Sequence, residues 1–528
     1  MSQIDVIKEN VQYEQLLRES TTNNVLKGEY LIKDSHPDVN EILGVEAKVV
    51  ISNKEILADK VMVEGQVNYV VLYASVDESE VARVNSVELS EKFADYLELK
   101  GEEHKILCDV ECVIEHIQAN IMNERKISID GVRLTKWLVY KIGEFEFVKD
   151  IVGNEDVQIQ KKNEEINQLK GKVDMELMGK SMIKVTMDKP EIDQILKVSL
   201  NLHKKEVRIG DSKVYFGCYC KIEALYKGKD CDDILVLQDD VYLSKEEELV
   251  GVNSDMIASY QVDIVNYDCL ICPDDLGESR VLNVEFVAKG VIRVLSCEKV
   301  EVVKDAYSPK YEMNLVKNNT EISLIHGITP SEVIIKDNLY LKNEDDKLGT
   351  IILAYGSPMV TDKTIEDDRV KIEGLLKVSV LYKTTDENSK FDMCSGEIPF
   401  STTVELKGIN KDMNLVCNVQ LENLDATSEA NTIGVRATLS VLAKVSYDVN
   451  KDWIIDVVAN DEEKKSKKCS VTIYCINKGD TLWNLAKKYN TTIDEIMNIN
   501  EIENQDELIA GKKIIIPGRC SFLNYLNI

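Results

Sequence analysis

Apolar and polar positions alternate with a period of two residues along most of this chain, the pattern of strands that bury one face. The run VMVEGQVNYVVLY, Val61 to Tyr73, shows it most clearly. It returns without a gap as VYFGCYCKIEALY from Val214 to Tyr226 and as VKIEGLLKVSVLY from Val370 to Tyr382. All three copies end in Leu-Tyr, and two keep a central Glu-Gly, at Glu64-Gly65 and Glu373-Gly374. A glycine inside a strand marks a bulge or a close approach by another segment, so Cys218 in the second copy must meet the same demand differently.

Upstream of these runs, His36-Pro37-Asp38-Val39-Asn40-Glu41-Ile42-Leu43 matches Lys189-Pro190-Glu191-Ile192-Asp193-Gln194-Ile195-Leu196 and, more loosely, Thr329-Pro330-Ser331-Glu332-Val333. The Pro-to-Pro separations are 190 − 37 = 153 and 330 − 190 = 140, so each unit is a whole domain and not a solenoid repeat. Further alternating segments follow each copy, such as LCDVECVIEHI, YQVDIVNYDCLI and LVCNVQLENL. The expected fold is therefore mainly β, with three tandem β-sandwich or barrel-like repeats over 29–150, 171–305 and 306–460. The N-terminal segment 1–28 carries Ile4, Ile7, Val11, Leu16 and Leu17 near helical spacing, which suits a docking helix or a partner-binding arm. The polar stretch from Glu155 to Lys170 reads as a linker or an exposed helix, and 461–470, containing DEEKKSKK, as a charged linker.

Beyond that linker the pattern changes. Val471 and Ile473 begin a short strand, and Lys478-Gly479-Asp480-Thr481 turns to deliver a helix N-cap. Leu482, Leu485, Ala486 and Tyr489 then fall on one helical face. Thr492-Ile493-Asp494-Glu495 opens a second helix as a capping box, and Ile514-Ile515-Ile516 forms a second strand stopped by Pro517. The order is βααβ over 471–517, followed by a tail, 518–528.

Charge and chemistry narrow the function. With 64 Lys and Arg against 93 Asp and Glu, the net charge is −29, which argues against nucleic acid and anionic membranes as partners. The opening MSQIDVIKENVQYEQLLRES has neither a basic n-region nor an unbroken apolar run, so no direct membrane insertion is expected and the chain should stay where it is made. Thirteen cysteines, an odd number, fit reduced thiols better than a disulfide framework. Neither Cys218/Cys220 nor Cys269/Cys272 completes a four-ligand zinc set, so no metal and no cofactor are expected. The last of the five histidines is His326, and no Gly-x-x-x-x-Gly-Lys-Ser/Thr loop occurs, which leaves no catalytic constellation. The expectation is a non-enzyme.

Tyr474, Gly479-Asp480-Thr481-Leu482-Trp483, Leu485-Ala486, Tyr489, Asn500, Leu508, Gly511 and Ile514-x-Ile516-Pro517 closely resemble a LysM domain, a module best known for binding N-acetylglucosamine polymers. The resemblance implies a shallow groove between Gly479, Asp480, Thr481 and Leu482 on one side and Asn500 and Ile502 on the other. The repeats in turn resemble SPOCS domains, and the whole layout is similar to SipL-type spore coat morphogenetic proteins. That resemblance implies a mother-cell cytoplasmic protein at the forespore surface, which binds the SpoIVA-type coat ATPase and other coat proteins, the LysM groove contacting the ATPase. Two alternatives stand beside it: a peptidoglycan-binding cell-wall protein, and a phage-type tail assembly protein.

Overall fold

The computed structural model describes residues 4–76, 82–99, 105–152, 157–231, 233–341, 348–385, 391–429, 431–464, 470–504 and 508–518. Eighteen strands form three repeats of six. The first holds β1 (Asp5–Leu31), β2 (Glu41–Ile56), β3 (Lys60–Val76), β4 (Ala82–Glu98), β5 (Lys105–Asn123) and β6 (Lys126–Val152). The second holds β7 (Gln158–Lys184), β8 (Ile192–Gly210), β9 (Lys213–Gly228), β10 (Ile234–Glu248), β11 (Ile257–Cys272) and β12 (Val281–Tyr307). The third holds β13 (Tyr311–Tyr340), β14 (Leu348–Glu366), β15 (Arg369–Thr384), β16 (Phe391–Glu405), β17 (Asn414–Glu429) and β18 (Thr432–Glu463). In every repeat the second, third and fourth strands make an antiparallel meander, while the long first strand pairs with the sixth and the sixth with the fifth. Two three-stranded sheets per repeat enclose a core, which bears out the expected mainly β repeats. Among the described residues no helix is long and apolar enough to cross a membrane.

The central strand of each meander explains the repeated sequence. Period two sends Val63, Val67 and Tyr69 of β3 inward, and likewise Phe216, Cys218 and Cys220 of β9 and Ile372, Leu376 and Val378 of β15. The glycine question is solved by exchange of volume. Gly65 lies opposite Phe93, and a Cβ on it would come within 2.8 Å of that ring; Gly374 is covered in the same way by Phe400. In the second repeat Cys218 lies opposite Leu243, so a larger residue on one strand meets a smaller one on the next. Burial pushes the Cys218 thiol up to about 11 and Cys220 up to about 12, keeping both protonated as core groups.

The four drawn boundaries need correction. Residues 5–28 are neither helix nor free arm, because they are most of β1 and pair along β6 from Asp5↔Val152 to Leu31↔Lys126. Bulges between Ile7 and Lys8 and between Leu16 and Arg18 shift the phase of the buried positions, which disguised the strand period as a helical one. The polar stretch after Glu155 is β7 from Gln158 onward, and its charges form ion pairs: Lys161 with Glu301 at 3.2 Å and Lys170 with Glu298 at 3.0 Å across to β12, and Lys161 with Asp150 of β6 at 3.1 Å. Thr329-Pro330 is no repeat start. Pro330 lies inside β13 opposite Leu442, on a strand at the sheet edge where a missing N–H is tolerated. By their register against Tyr73, Tyr226 and Tyr382, the true counterpart of Ile42-Leu43 and Ile195-Leu196 is Ile351-Ile352 in β14. Of the charged linker, 461–463 continue β18 and 465–469 lie outside the described residues, as does the tail from 519.

The three repeats close on one another. Leu43, Leu72, Ala74 and Val84 from the first meet Leu196, Leu225 and Ile234 from the second and Leu353, Leu381 and Met393 from the third in one shared apolar core. The Leu-Tyr endings thereby acquire a reason. Leu72, Leu225 and Leu381 enter this shared core, while the adjoining Tyr73, Tyr226 and Tyr382 turn into their own repeats. The hydroxyls of Tyr73 and Tyr226 donate to the carbonyls of Pro37 at 3.1 Å and Pro190 at 3.4 Å, tying each strand to its turn. The long strands run beyond the sandwiches and pack again, where Val11, Tyr13, Phe145 and Phe147 meet Ile166 and Val302 and Ile322, Leu324 and Trp453. Phe145 stacks on Trp453 with centroids 4.6 Å apart. Between the two apolar zones lies a buried polar junction: Glu14 forms ion pairs with Arg293 at 3.3 Å and Lys444 at 3.5 Å, and Arg293 also reaches Asp109 at 2.5 Å.

Two outcomes follow from this arrangement. Leu225→Ala should cost about 2–5 kcal/mol of stability. Amide exchange should then quicken in Val61–Tyr73 and Val370–Tyr382 as well as in β9, since all three strands lean on the same side chain. Arg293→Leu leaves Glu14 buried with only Lys444 and should destabilise by about 3–5 kcal/mol, read as a lower denaturation midpoint.

Candidate functional site

The C-terminal module comprises β19 (Val471–Cys475), α1 (Leu482–Tyr489), α2 (Ile493–Asn500) and β20 (Lys513–Pro517), with β19 and β20 antiparallel from Val471↔Pro517 to Cys475↔Lys513. Its core is Ile476, Leu482, Trp483, Leu485, Ala486, Ile496, Ile514 and Ile516. Each helix start is built as its sequence implies. The Thr481 side chain accepts from the Asn484 N–H at 3.1 Å, and Thr492 and Glu495 form the reciprocal capping box. Asn490 and Glu501 adopt left-handed conformations, φ 52° and 53°, and end the two helices.

The residues expected to form a groove divide into distinct roles. Gly479 holds φ +94° with open space where a side chain would stand, so the turn requires glycine and the position faces solvent. Asp480 is the organiser of the loop: its carboxylate accepts the Asn477 N–H at 2.8 Å and the Tyr474 hydroxyl at 3.0 Å. The bond to Asp480 holds the Tyr474 hydroxyl above its ordinary pKa. Thr481 is exposed and spends its oxygen on the cap, whereas Leu482 is core. Asn500 is engaged by backbone, donating to the carbonyls of Ile496 at 2.7 Å and Ile515 at 2.6 Å and accepting the Ile515 N–H at 2.7 Å. Ile502 packs against the module's core.

The loop 477–481 does not face open solvent alone. The Gly511 N–H donates to the Ile476 carbonyl at 2.8 Å, and Ile476 N–H to Lys512 at 3.0 Å, which brings the loop before β20 alongside. The rims so formed expose Asn477, Lys478 and Gly479 on one side and Ile509, Ala510 and Gly511 on the other. Ile509, 67% exposed, was missed by sequence reasoning, because a lone isoleucine before a turn carries no signal of its exposure. Such a rim offers backbone amides, short polar groups and an apolar contact, and contains no nucleophile-and-base pair. Among the described residues no group of three or more His, Cys, Asp or Glu side chains is placed to hold a metal ion.

Comparison with known families agrees with this geometry. The model for the SipL SPOCS domain matches three times, at residues 38–122, 191–271 and 347–429, and the LysM domain model matches residues 474–517. The chain has the SipL-type architecture of three SPOCS domains followed by one LysM domain. Each SPOCS match spans the meander and the fifth strand, so the long first and sixth strands extend beyond the matched segments. SPOCS and LysM domains are non-catalytic binding domains, and their combination marks a protein related to sporulation and the spore coat, of a cell-wall-binding type. Two curated relatives are similar over short stretches. The cortical fragment-lytic enzyme of Bacillus subtilis (strain 168) is 47% identical over 45 residues, 8% of this chain and 10% of the relative. The secreted LysM effector ECP6 of Passalora fulva is 38% identical over 64 residues, 12% of this chain and 28% of the relative. The chain thus spans only a tenth to just over a quarter of these relatives. No solved structure matches.

Asn500→Ala removes two hydrogen bonds that tie α2 to β20 and one within α2, and should destabilise the module by about 1–3 kcal/mol. The expected readout is faster amide exchange across Lys513–Pro517, with exchange in β1–β18 unchanged.

Proposed function

We propose that this chain is a non-enzymatic assembly factor of the spore coat, which binds a SpoIVA-type basement-layer ATPase and tethers the coat to the forespore surface from the mother-cell cytoplasm. The observation that carries the reading is the presence of three SPOCS domains and one LysM domain in a single chain. The partner contact is assigned to the two LysM rims, around Lys478-Gly479 and Ile509, because their side chains are exposed and the loops beneath them are held by internal hydrogen bonds. A preorganised rim loses little conformational freedom on binding. The net charge of −29 suits solubility and selective protein contacts, so attachment to the forespore is assigned to partners and not to lipid. Other coat proteins would then find the large surfaces of the three repeats.

A second reading, in which the same rims take N-acetylglucosamine polymers of peptidoglycan, is favoured by the similarity to the cortical fragment-lytic enzyme. One experiment separates the two. The full chain is titrated in parallel with purified SpoIVA-type ATPase and with peptidoglycan fragments, alongside a Lys478→Glu/Ile509→Arg variant that leaves the core and the caps untouched. Saturable binding to the ATPase that weakens tenfold or more in the variant, about 1.4 kcal/mol, is the expected result. Binding to glycan fragments alone would replace the coat-assembly reading with the wall-binding one.

A further inference from the structure

The LysM module is joined to the rest of the chain by a short charged connector, yet it does not stand apart. Tyr307, the last residue of β12, enters the module's core: it is 2% exposed, its ring meets Trp483 edge-on with centroids 5.0 Å apart, and its hydroxyl donates to the Thr491 carbonyl at 2.9 Å. Asp305, two residues earlier, accepts the Trp483 indole N–H at 2.8 Å and the Lys487 ammonium at 2.6 and 2.8 Å. On the connector side, Lys464 donates to the Ser308 carbonyl at 3.0 Å and to the Asn490 side chain at 3.3 Å, while its own N–H reaches the Lys310 carbonyl at 2.8 Å. These contacts gather on one patch, the passage from β12 to β13 where the second repeat hands over to the third. A bulge between Val303 and Asp305 sits at this place in β12.

We infer that this passage is a built seat for the LysM module, and that helix α1 is the face that sits on it. The seat has the composition of a specific interface: an aromatic pair at its centre, a charge-assisted bond to an indole, an ion pair at its rim, and a backbone carbonyl satisfied by a buried tyrosine. It buries Trp483 and Thr491, engages Lys487 and Asn490 at its rim, and leaves the Gly479 loop open, since nothing stands within 4 Å of the space beside Gly479. The module therefore points its rims in one fixed direction relative to the three repeats, and a partner meets the module and the repeats as one surface. The inference stands on these contacts alone and does not depend on which partner the rims take.

Tryptophan quenching in the full chain tests it. Trp137 and Trp453 are 0% and 2% exposed in the repeats, and Trp483 is 8% exposed on the seat, so a small neutral quencher should reach almost no indole in the native protein. In a Asp305→Ala/Tyr307→Ala variant one tryptophan of three becomes accessible, while amide protection of α2 and of the β19–β20 pair persists, showing a module that is folded but unseated. Lys487→Glu alone should open the seat part-way, since it sets two carboxylates against each other at the rim. Trp483 staying unquenched in the double alanine variant would overturn the seat. Loss of protection throughout 471–517 in that variant would overturn it too, since Tyr307 would then belong to the module's own fold.

Discussion

The shared apolar core at which all three repeats meet is the constraint on which the rest depends. No repeat can bury Leu43 and Leu72, or Leu196 and Leu225, or Leu353 and Leu381, without the other two. A side chain of that size gains about 1.5–3 kcal/mol when fully removed from water. Six leucines held in common thus couple three sandwiches that would otherwise be beads on a string. The long first and sixth strands extend the coupling: once the sandwiches are fixed, their ends converge and stack Phe145 on Trp453. That convergence in turn places the end of β12 where the LysM module rests.

Much of this was legible in the sequence, and the failures have physical causes. The central meander strands β3, β9 and β15 announced themselves because each alternates with an unbroken period, and the Leu-Tyr endings were visible although their meaning was not. One member of each pair serves the shared core and its neighbour serves the repeat, a division that no single-strand pattern can express. The strand β1 was hidden by two bulges, since a single inserted residue turns a period of two into something near a helical spacing. Pro330 misled for a different reason. Proline is a fair sign of a turn, but an edge strand such as β13 tolerates it, and the real counterpart in the third meander, Ile351-Ile352, has no proline beside it.

The LysM module was read nearly residue by residue because its caps, turns and helical faces are local, and local rules suffice for them. What local rules could not separate was structure from function within the groove. Asp480 and Asn500 look like binding groups in a list of residue types, yet both are bound by the module's own backbone and side chains. Trp483 finds its partner 178 residues upstream, at Asp305, which no spacing argument reaches.

The buried junction around Glu14 shows what covalent fusion allows. Leu138, Arg293 and Lys444 occupy the same place in β6, β12 and β18, each twelve residues after the strand begins at Lys126, Val281 and Thr432. In a trimer of identical chains that place would hold one residue type three times, and a cation there would be repeated in every copy. With the three copies on one chain, the position is free to differ: it is apolar at Leu138, while Arg293 and Lys444 both pair with the single Glu14. The junction thereby gives each repeat a different part at the same strand position, which makes each of them irreplaceable by its sisters.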